Sequence, residues 1–265
     1  MIQFDNVSKS FPGGSGGSLP VLANLNLSIQ KGEFLCVLGP SGCGKTTFLN
    51  LIAGFVSPSK GRVLFQGKDV TGPGPERGVV FQDATLFPWL TVIQNVEFGL
   101  KIQGMKGLTL VETAFRFLES LGLAEHSNKF PYALSGGMRQ RVAIARVLAL
   151  EPKVLLMDEP FSALDANTRE RLQDELLRIW MTYRKTVVYV THSVEEAAYL
   201  ADRIVIFGDT DSGGFTDMAA PQKRPRNRSS KEFLAMKDSL RECLAAQPCC
   251  IQPQTILKNL NRYHL

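Results

Sequence analysis

Gly39-Pro40-Ser41-Gly42-Cys43-Gly44-Lys45-Thr46-Thr47 follows the apolar run Phe34-Leu35-Cys36-Val37-Leu38 and precedes Phe48-Leu49-Asn50-Leu51-Ile52. This order predicts a buried strand, a glycine-rich turn and a helix. Backbone N–H groups of such a turn can converge on oxygen anions, and the helix adds the positive end of its dipole. The spacing is G-x-x-x-x-G-K-[ST], in which Lys45 can reach β and γ phosphates and the Thr46 hydroxyl can ligate Mg²⁺. The alternative is a glycine-rich turn that binds nothing. The strand before it and the helix after it favour a nucleotide's phosphates, and the rest of the chain must say what the nucleotide is for.

With 265 residues, 44% of them hydrophobic and 21% charged, the chain can bury an ample core, as one domain with lobes or as two small domains. No uncharged apolar run approaches the roughly 20 residues that cross a bilayer. Met1-Ile2-Gln3-Phe4-Asp5 lacks a basic segment leading into an apolar one, so the protein is expected to stay where it is made. The five cysteines, Cys36, Cys43, Cys243, Cys249 and Cys250, are odd in number and suit a reducing compartment rather than a disulfide framework. Adjacent Cys249 and Cys250 lack a nearby His or second Cys pair to complete a metal site. The net charge of +5 resides in the tail: residues 221–265 hold nine Lys/Arg against three Asp/Glu, and residues 1–220 hold 21 against 22. A neutral body with a basic tail argues against a broad nucleic-acid-binding face.

Residues 1–7 and Leu25-Asn26-Leu27-Ser28-Ile29 alternate as half-buried strands of an antiparallel lobe, joined across Gly13-Gly14-Ser15-Gly16-Gly17-Ser18, and Arg62–Gly67 adds a third strand. Gly78-Val79-Val80-Phe81 reads as a buried strand ending at Gln82. From Phe87 to about Leu150 the pattern is mostly helical, as an insertion. There, Thr109-Leu110-Val111-Glu112 has capping-box spacing, and Leu110, Val111, Ala114, Phe115, Leu118 and Leu121 make one apolar stripe, expected to be core. A further helix is expected from Ser135. Val154–Met157, Thr186–Val190 and Arg203–Phe207 lack polar alternation, as strands of a parallel sheet buried on both faces do. Helices fit 165–183 and 193–200, the second opened by a Ser193-Val194-Glu195-Glu196 box. Residues 208–214 read as a turn and loop, 221–230 as a basic extended stretch, and a short amphipathic helix holds Phe233, Leu234, Met236 and Leu240.

Hydrolysis of a nucleotide also needs a held metal, an oriented water and stabilisation of developing charge. Met157-Asp158-Glu159 ends an apolar strand in two carboxylates, Asp158 suited to Mg²⁺ and Glu159 to the attacking water. Gln82, at a strand end and at the root of the helical insertion, can sense metal and water through its amide. His192, after the strand 187–190, can hydrogen-bond a γ-phosphate; alone it would read as a structural histidine. Leu134-Ser135-Gly136-Gly137-Met138-Arg139-Gln140 places a hydroxyl and bare backbone N–H groups at a helix start, a second anion-binding surface.

Taken in order, Gly39–Thr47 (Walker A), Gln82, Leu134-Ser135-Gly136-Gly137 (LSGG), Val154–Glu159 (Walker B), Ser162-Ala163-Leu164-Asp165 and His192 resemble the nucleotide-binding domains of ABC transporters. The resemblance implies an α/β fold: a P-loop NTPase core of mainly parallel sheet flanked by helices, an antiparallel β lobe and a helical lobe bearing the signature motif. It divides the chain into a nucleotide-binding domain at 1–220, with the helical insertion at about 87–150, and a basic tail at 221–265. It implies an ATPase using ATP and Mg²⁺, with Lys45, Gln82, Glu159 and His192 catalytic and Thr46, Gln82 and Asp158 at the metal. Two such domains would pair head to tail, so that Leu134, Ser135, Gly136, Gly137 and Gln140 serve the partner's ATP and Asp165 couples the sites.

Val80–Val92 with Asn95-Val96, and the tail Arg224–Ser230 with Phe233, resemble the ATPase subunits of bacterial importers for nitrate, taurine and aliphatic sulfonates. That likeness implies a transmembrane permease docked at Gln82–Trp89, an indirectly associated substrate-binding protein, no nucleic-acid partner and a peripheral place on the cytoplasmic face of the inner membrane. Two departures stand out. The aromatic expected to stack on adenine is Phe11 where the family often has Tyr, and residues 208–214 replace a Pro/Arg/Gly-rich turn. A thiol reagent is expected to reach Cys43 unless MgATP protects it. A non-transport ABC ATPase of the DNA-repair or translation type would carry a long coiled coil or two fused units, and a small-molecule kinase would not need the LSGG stretch or His192.

Overall fold

The computed structural model describes residues 1–13, 17–208, 215–220 and 223–246. In chain order the elements are β1 (Ile2–Pro12), β2 (Ser18–Ile29), β3 (Phe34–Leu38), α1 (Lys45–Ala53), β4 (Lys60–Phe65), β5 (Lys68–Asp69), β6 (Arg77–Val80), α2 (Val92–Ile102), α3 (Gly107–Ser120) and α4 (Gly136–Leu148). There follow β7 (Val154–Asp158), α5 (Ala166–Tyr183), β8 (Thr186–Thr191), α6 (Val194–Leu200), β9 (Arg203–Phe207), β10 (Phe215–Ala219) and α7 (Lys231–Ala245). The chain folds as two compact units. One comprises Met1–Gln30, Leu35–Gly72 and Val190 onward, the other Lys31–Phe34 and Pro73–Tyr189.

In the first unit, β2-β1-β4-β5 form an antiparallel sheet. Strands β1 and β2 run longer than their alternation suggested, pairing from Ile2–Ile29 to Pro12–Ser18, with irregular register after Phe4 that interrupts the two-residue period. Strand β9 lies between β3, parallel to it from Leu35–Arg203 to Leu38–Ile206, and β10, antiparallel to it. Every residue of β3 is buried, as a strand covered on both faces requires. Phe48 of α1 stacks on Phe4 of β1 at 4.6 Å and meets Phe207 of β9 edge-on at 5.3 Å. The helix after the phosphate loop is thereby pinned to both sheets of this unit.

In the second unit, β6 and β7 pair in parallel from Arg77–Val154 to Val80–Met157, and β8 follows β7 in the strand order. Helices α2, α3 and α4 pack on one another, and α4 packs on β6. Gly78 permits that last approach: a Cβ there would lie 2.4 Å from Val147 Cγ1. Phe34 meets Trp180 of α5 edge-on at 5.8 Å, and the Trp180 indole N–H donates to Lys185 O at 2.9 Å, satisfying the polar end of a buried ring.

Four local expectations change. Helix α3 starts at Gly107 without a side-chain cap, so Thr109 lies inside it rather than capping it. Its buried face is Leu110, Ala114, Phe117 and Leu118, whereas Val111 and Phe115 are exposed. Ser193 caps α6 by accepting from the Glu196 N–H at 3.3 Å, but the Glu196 carboxylate pairs with the Thr191 hydroxyl at 2.5 Å instead of closing a box. Strands β5 and β10 were not foreseen. The turn read at 209–214, residues 14–16 of the Gly-Ser loop, and Cys249 and Cys250 lie outside the described residues.

Candidate functional site

The first unit contributes the phosphate loop. Strand β3 delivers Leu38 to Gly39, where a Cβ would sit 2.7 Å from Cys43 Sγ and 2.8 Å from Phe207 O, so only glycine lets the loop lie against β9. Gly42 and Gly44 have φ of 86° and 94°, left-handed values that glycine adopts without a Cβ penalty. Gly44 is the N-cap of α1 and contributes no side-chain cap, which leaves the first-turn N–H groups directed into the loop.

Lys45 is 5% exposed. Its ammonium donates to Gly39 O at 2.8 Å and Pro40 O at 2.7 Å, so the loop holds its cation through its own carbonyls. Ser41, Gly42 and Thr46 are exposed and Thr47 is half-buried. Cys43 is buried, with its sulfur near Lys45 Nζ at 4.0 Å. The thiol is therefore turned to the inner side of the loop, and the expectation that a reagent reaches it directly is corrected. Phe11 is half-buried on β1, paired across the strands with Leu19, and Lys9 Nζ stands 4.8 Å from its ring centre. His192 is exposed between β8 and α6. Beside it, Thr191 Oγ1 accepts from Ser193 N at 3.0 Å, which fixes the backbone on either side of the imidazole.

The second unit contributes the carboxylates, Gln82 and the signature turn. Asp158 ends β7 and Glu159 follows it with φ of 43°, a left-handed conformation of the kind that carries strain at functional positions. The turn beyond is held tightly: Glu159 O accepts from Ser162 Oγ at 2.9 Å and Ser162 N at 3.2 Å. Arg169 of α5 donates to Phe161 O at 3.2 Å, Ser162 O at 3.4 Å and Leu164 O at 2.7 Å. Asp165 caps α5 through Thr168 N at 3.0 Å, and that hydrogen bond holds its carboxyl below the usual carboxylate range.

Ser135 caps α4, accepting from Met138 N at 3.3 Å. Ser135 and Gly136 are exposed and Leu134 is buried, so the turn is anchored from below and open above. A Cβ on Gly137 would stand 2.8 Å from Thr168 Cγ2, so the signature helix lies close on the start of α5. Gln140 does not face outward with the turn. It is buried, and its amide donates to Phe81 O at 3.2 Å, which ties α4 to the backbone next to Gln82. Gln82 itself is exposed.

The stretch after Gln82 is bound at several points. Asn95, fully buried, accepts from Phe87 N at 2.9 Å and donates to Phe87 O, Leu90 O and Thr91 O at 3.2, 3.1 and 3.0 Å. Arg146 of α4 donates to Thr85 O at 3.1 Å and lies 5.6 Å from the Phe87 ring centre. Sequence reasoning assigned no role to Arg146 or Arg169. Their partners are backbone carbonyls, which carry no residue identity, and the only available signal was a basic residue on a helix flanking a long turn.

Residues 22–162 match the family model described as ABC transporter. The chain is 50% identical over 190 residues to a taurine import ATP-binding protein of Shigella dysenteriae, covering 72% of this chain and 74% of that protein. It is 45% identical over 240 residues to a nitrate import ATP-binding protein of Synechocystis, covering 87% and 90%. A dimeric ATP-binding cassette in a post-hydrolysis state, bound to ADP and Pi, superposes with a TM-score of 0.74 at 33% identity, over 84% of this chain and 100% of that one. The phosphate loop, the paired carboxylates and the capped signature helix thus stand on the P-loop α/β fold that the motif order implied, and the chain belongs to the ABC transporter family as an ATP-binding, ATP-hydrolysing subunit.

Proposed function

We propose that two copies of this chain close head to tail around two ATP molecules and thereby drive a membrane permease that imports a small anion. The observation that carries this reading is the N-terminus of α4. It offers a hydroxyl and glycine N–H groups to solvent at Ser135 and Gly136, while the neighbouring Arg139 commits Nη1 to Leu134 O at 2.7 Å. Such a surface can add hydrogen bonds to a phosphate but has no buried lysine held by its own loop as Lys45 is, which suits the second face of a site whose lysine lies on another copy.

In each closed site Gly39–Thr47 cradle the phosphates, Lys45 neutralises the β and γ oxygens, and Phe11 stacks on the base. Thr46, Gln82 and Asp158 supply the hard oxygen donors that suit Mg²⁺, which when bound polarises the phosphoryl oxygens. Glu159 accepts a proton from the water whose oxygen attacks the γ-phosphorus as the bond to the β-bridging oxygen breaks, giving ADP and phosphate. His192 hydrogen-bonds the γ-phosphate. Ser135, Gly136 and Gly137, anchored by Leu134 and Gln140, serve the nucleotide bound by the second copy, and Asp165 relays between sites.

The permease docks on Gln82–Trp89. Support comes from Trp89, 70% exposed beside Phe87, whose ring in turn meets Phe98, on a loop hydrogen-bonded to Asn95 and Arg146. Likeness to importers of nitrate and taurine supports a small anion as cargo, delivered to the permease by a separate substrate-binding protein. Among the described residues no helix is long and apolar enough to cross a membrane. On this reading the permease holds the subunit peripherally at the cytoplasmic face. Residues 1–220 form the nucleotide-binding domain and 221–265 a carboxy-terminal segment. Glu159→Gln is expected to keep ATP affinity, lose turnover by about 10² to 10⁴-fold and accumulate as a closed dimer on size exclusion with ATP. Undiminished hydrolysis would remove Glu159 from this role.

A further inference from the structure

The basic stretch after β10 is used inside the first unit. Arg224 pairs with Asp202 at 2.8 Å, its side chain only 7% exposed. Arg228 lays its guanidinium 3.5 Å from the ring centre of Tyr199. Between them Arg226, 5% exposed, donates from Nη1 to Ala198 O and Tyr199 O at 2.9 and 3.0 Å and from Nη2 to Ala201 O and Ala220 O at 2.7 Å each. Ala198, Tyr199 and Ala201 are the last carbonyls of α6 and its exit, groups that a helix end leaves without intrahelical partners. A cation there also opposes the negative end of the helix dipole. The strap continues into α7, where Phe233 and Leu240 are fully buried and Lys237 pairs with Glu195 of α6 at 3.3 Å.

The far end of α6 is the turn that carries His192. That turn is fixed to the helix by Ser193 on the Glu196 N–H and by Thr191 on the Glu196 carboxylate. A seven-residue helix is too short to hold its own orientation, since helices below about 12 residues are marginal without tertiary support. We propose that Arg226 is a positioning residue for His192: by binding the C-terminal carbonyls of α6 it sets the helix on which the imidazole is mounted. Arg224, Arg226 and Arg228 are thus tied to the fold around α6. Burial and the adjacent Arg224 charge push the Arg226 guanidinium down to about 10, so it stays cationic near neutral pH.

The inference rests on His192 serving the γ-phosphate, and the test separates the two. Lysine keeps the charge but not the fork that spans four carbonyls. Arg226→Lys in the full chain is expected to lower kcat by about 10- to 100-fold, the scale of an ångström-sized misplacement, with KM for ATP within about twofold. Ring-nitrogen NMR of nucleotide-free protein, in which only His126, His192 and His264 contribute, should show the His192 signal displaced and the His126 signal unmoved. Arg228→Leu, which removes the guanidinium from the Tyr199 ring, should show the same pattern in smaller degree, and it carries the test if Arg226→Lys does not fold. If His192→Ala retains full turnover, the role of His192 is wrong. If His192→Ala is inactive while the arginine variants keep wild-type kcat and an unmoved His192 signal, whatever their melting temperature, the positioning role alone is overturned.

Discussion

The starts of α1 and α4, the two helix N-termini proposed to meet phosphate, are built in opposite ways. The first opens on a left-handed glycine with no side-chain cap and keeps its cation, Lys45, buried and hydrogen-bonded to loop carbonyls. The second opens on a capping serine in extended conformation, exposes the turn and holds its nearest guanidinium on the Leu134 carbonyl, with no buried lysine. A loop with its own buried charge can hold a polyanion by itself. A capped turn without one can contribute hydrogen bonds only to an anion already held. On the proposed reading, the difference gives primary binding to one and completion of the site to the other.

Lys45→Met strikes the first directly, removing a charge-assisted contact worth about 1.5–3 kcal/mol. ATP affinity by titration calorimetry is expected to fall roughly 10- to 100-fold, and unchanged affinity would erase the asymmetry. Gly39→Ala attacks the same loop through packing, because the added carbon meets backbone at Phe207 O. A cost of about 1–3 kcal/mol should appear as a melting temperature lower by several degrees together with weaker ATP binding; an unshifted melt would mean that the loop does not lie against β9. Ser135→Ala should leave ATP affinity of the isolated chain untouched and cost about 1 kcal/mol of helix cap, read as a shift of about 2–4 °C in melting temperature. A large loss of affinity in that variant would instead make the signature turn a primary site. The smallest effect concerns the Asp165 cap. Its folded carboxyl is held below the ordinary value, so its stabilisation is present above the unfolded carboxylate pKa and is lost as pH falls through the folded one. Asp165→Asn should therefore flatten the acid limb of a stability–pH profile, and an unaltered limb would contradict the cap.

How much of this was legible in the sequence depends on what a residue's partner is. Strand β3, the loop, α1, Ser135 as the start of α4 and Asp165 as the start of α5 are local patterns, in which apolar runs, glycines and caps specify their own neighbourhood. Strand β10 was not readable: its residues alternate between half-buried and exposed, and what orders them is pairing with β9 and the Arg203–Asp217 ion pair, at 2.7 Å, across a stretch with no strand signal. The apolar stripe of α3 was misplaced onto Val111 and Phe115 because the helix buries Phe117 with Leu110 instead. The ties made by Asn95, Gln140, Arg146, Arg169 and Arg226 end on backbone atoms, which carry no residue identity, so only the folded chain reveals them. Gln140 is the instructive case, since its place in the motif suggested an outward role and its amide is committed to Phe81 O.

The central claim is that one working site needs the phosphate loop of one copy and the signature turn of another. Lys45→Met disables the first. Gly136→Asp disables the second with little insult to the fold, because a Cβ there meets nothing closer than Leu164 Cδ2 at 3.7 Å, and it sets a carboxylate where a phosphate must come. Each variant alone should hydrolyse almost no ATP. Mixed in equal amounts they should regain activity, up to about a quarter of wild type for random pairing in a two-fold dimer, because each mixed dimer holds one intact site. A mixture as inactive as its components would show that the site is completed within a single chain.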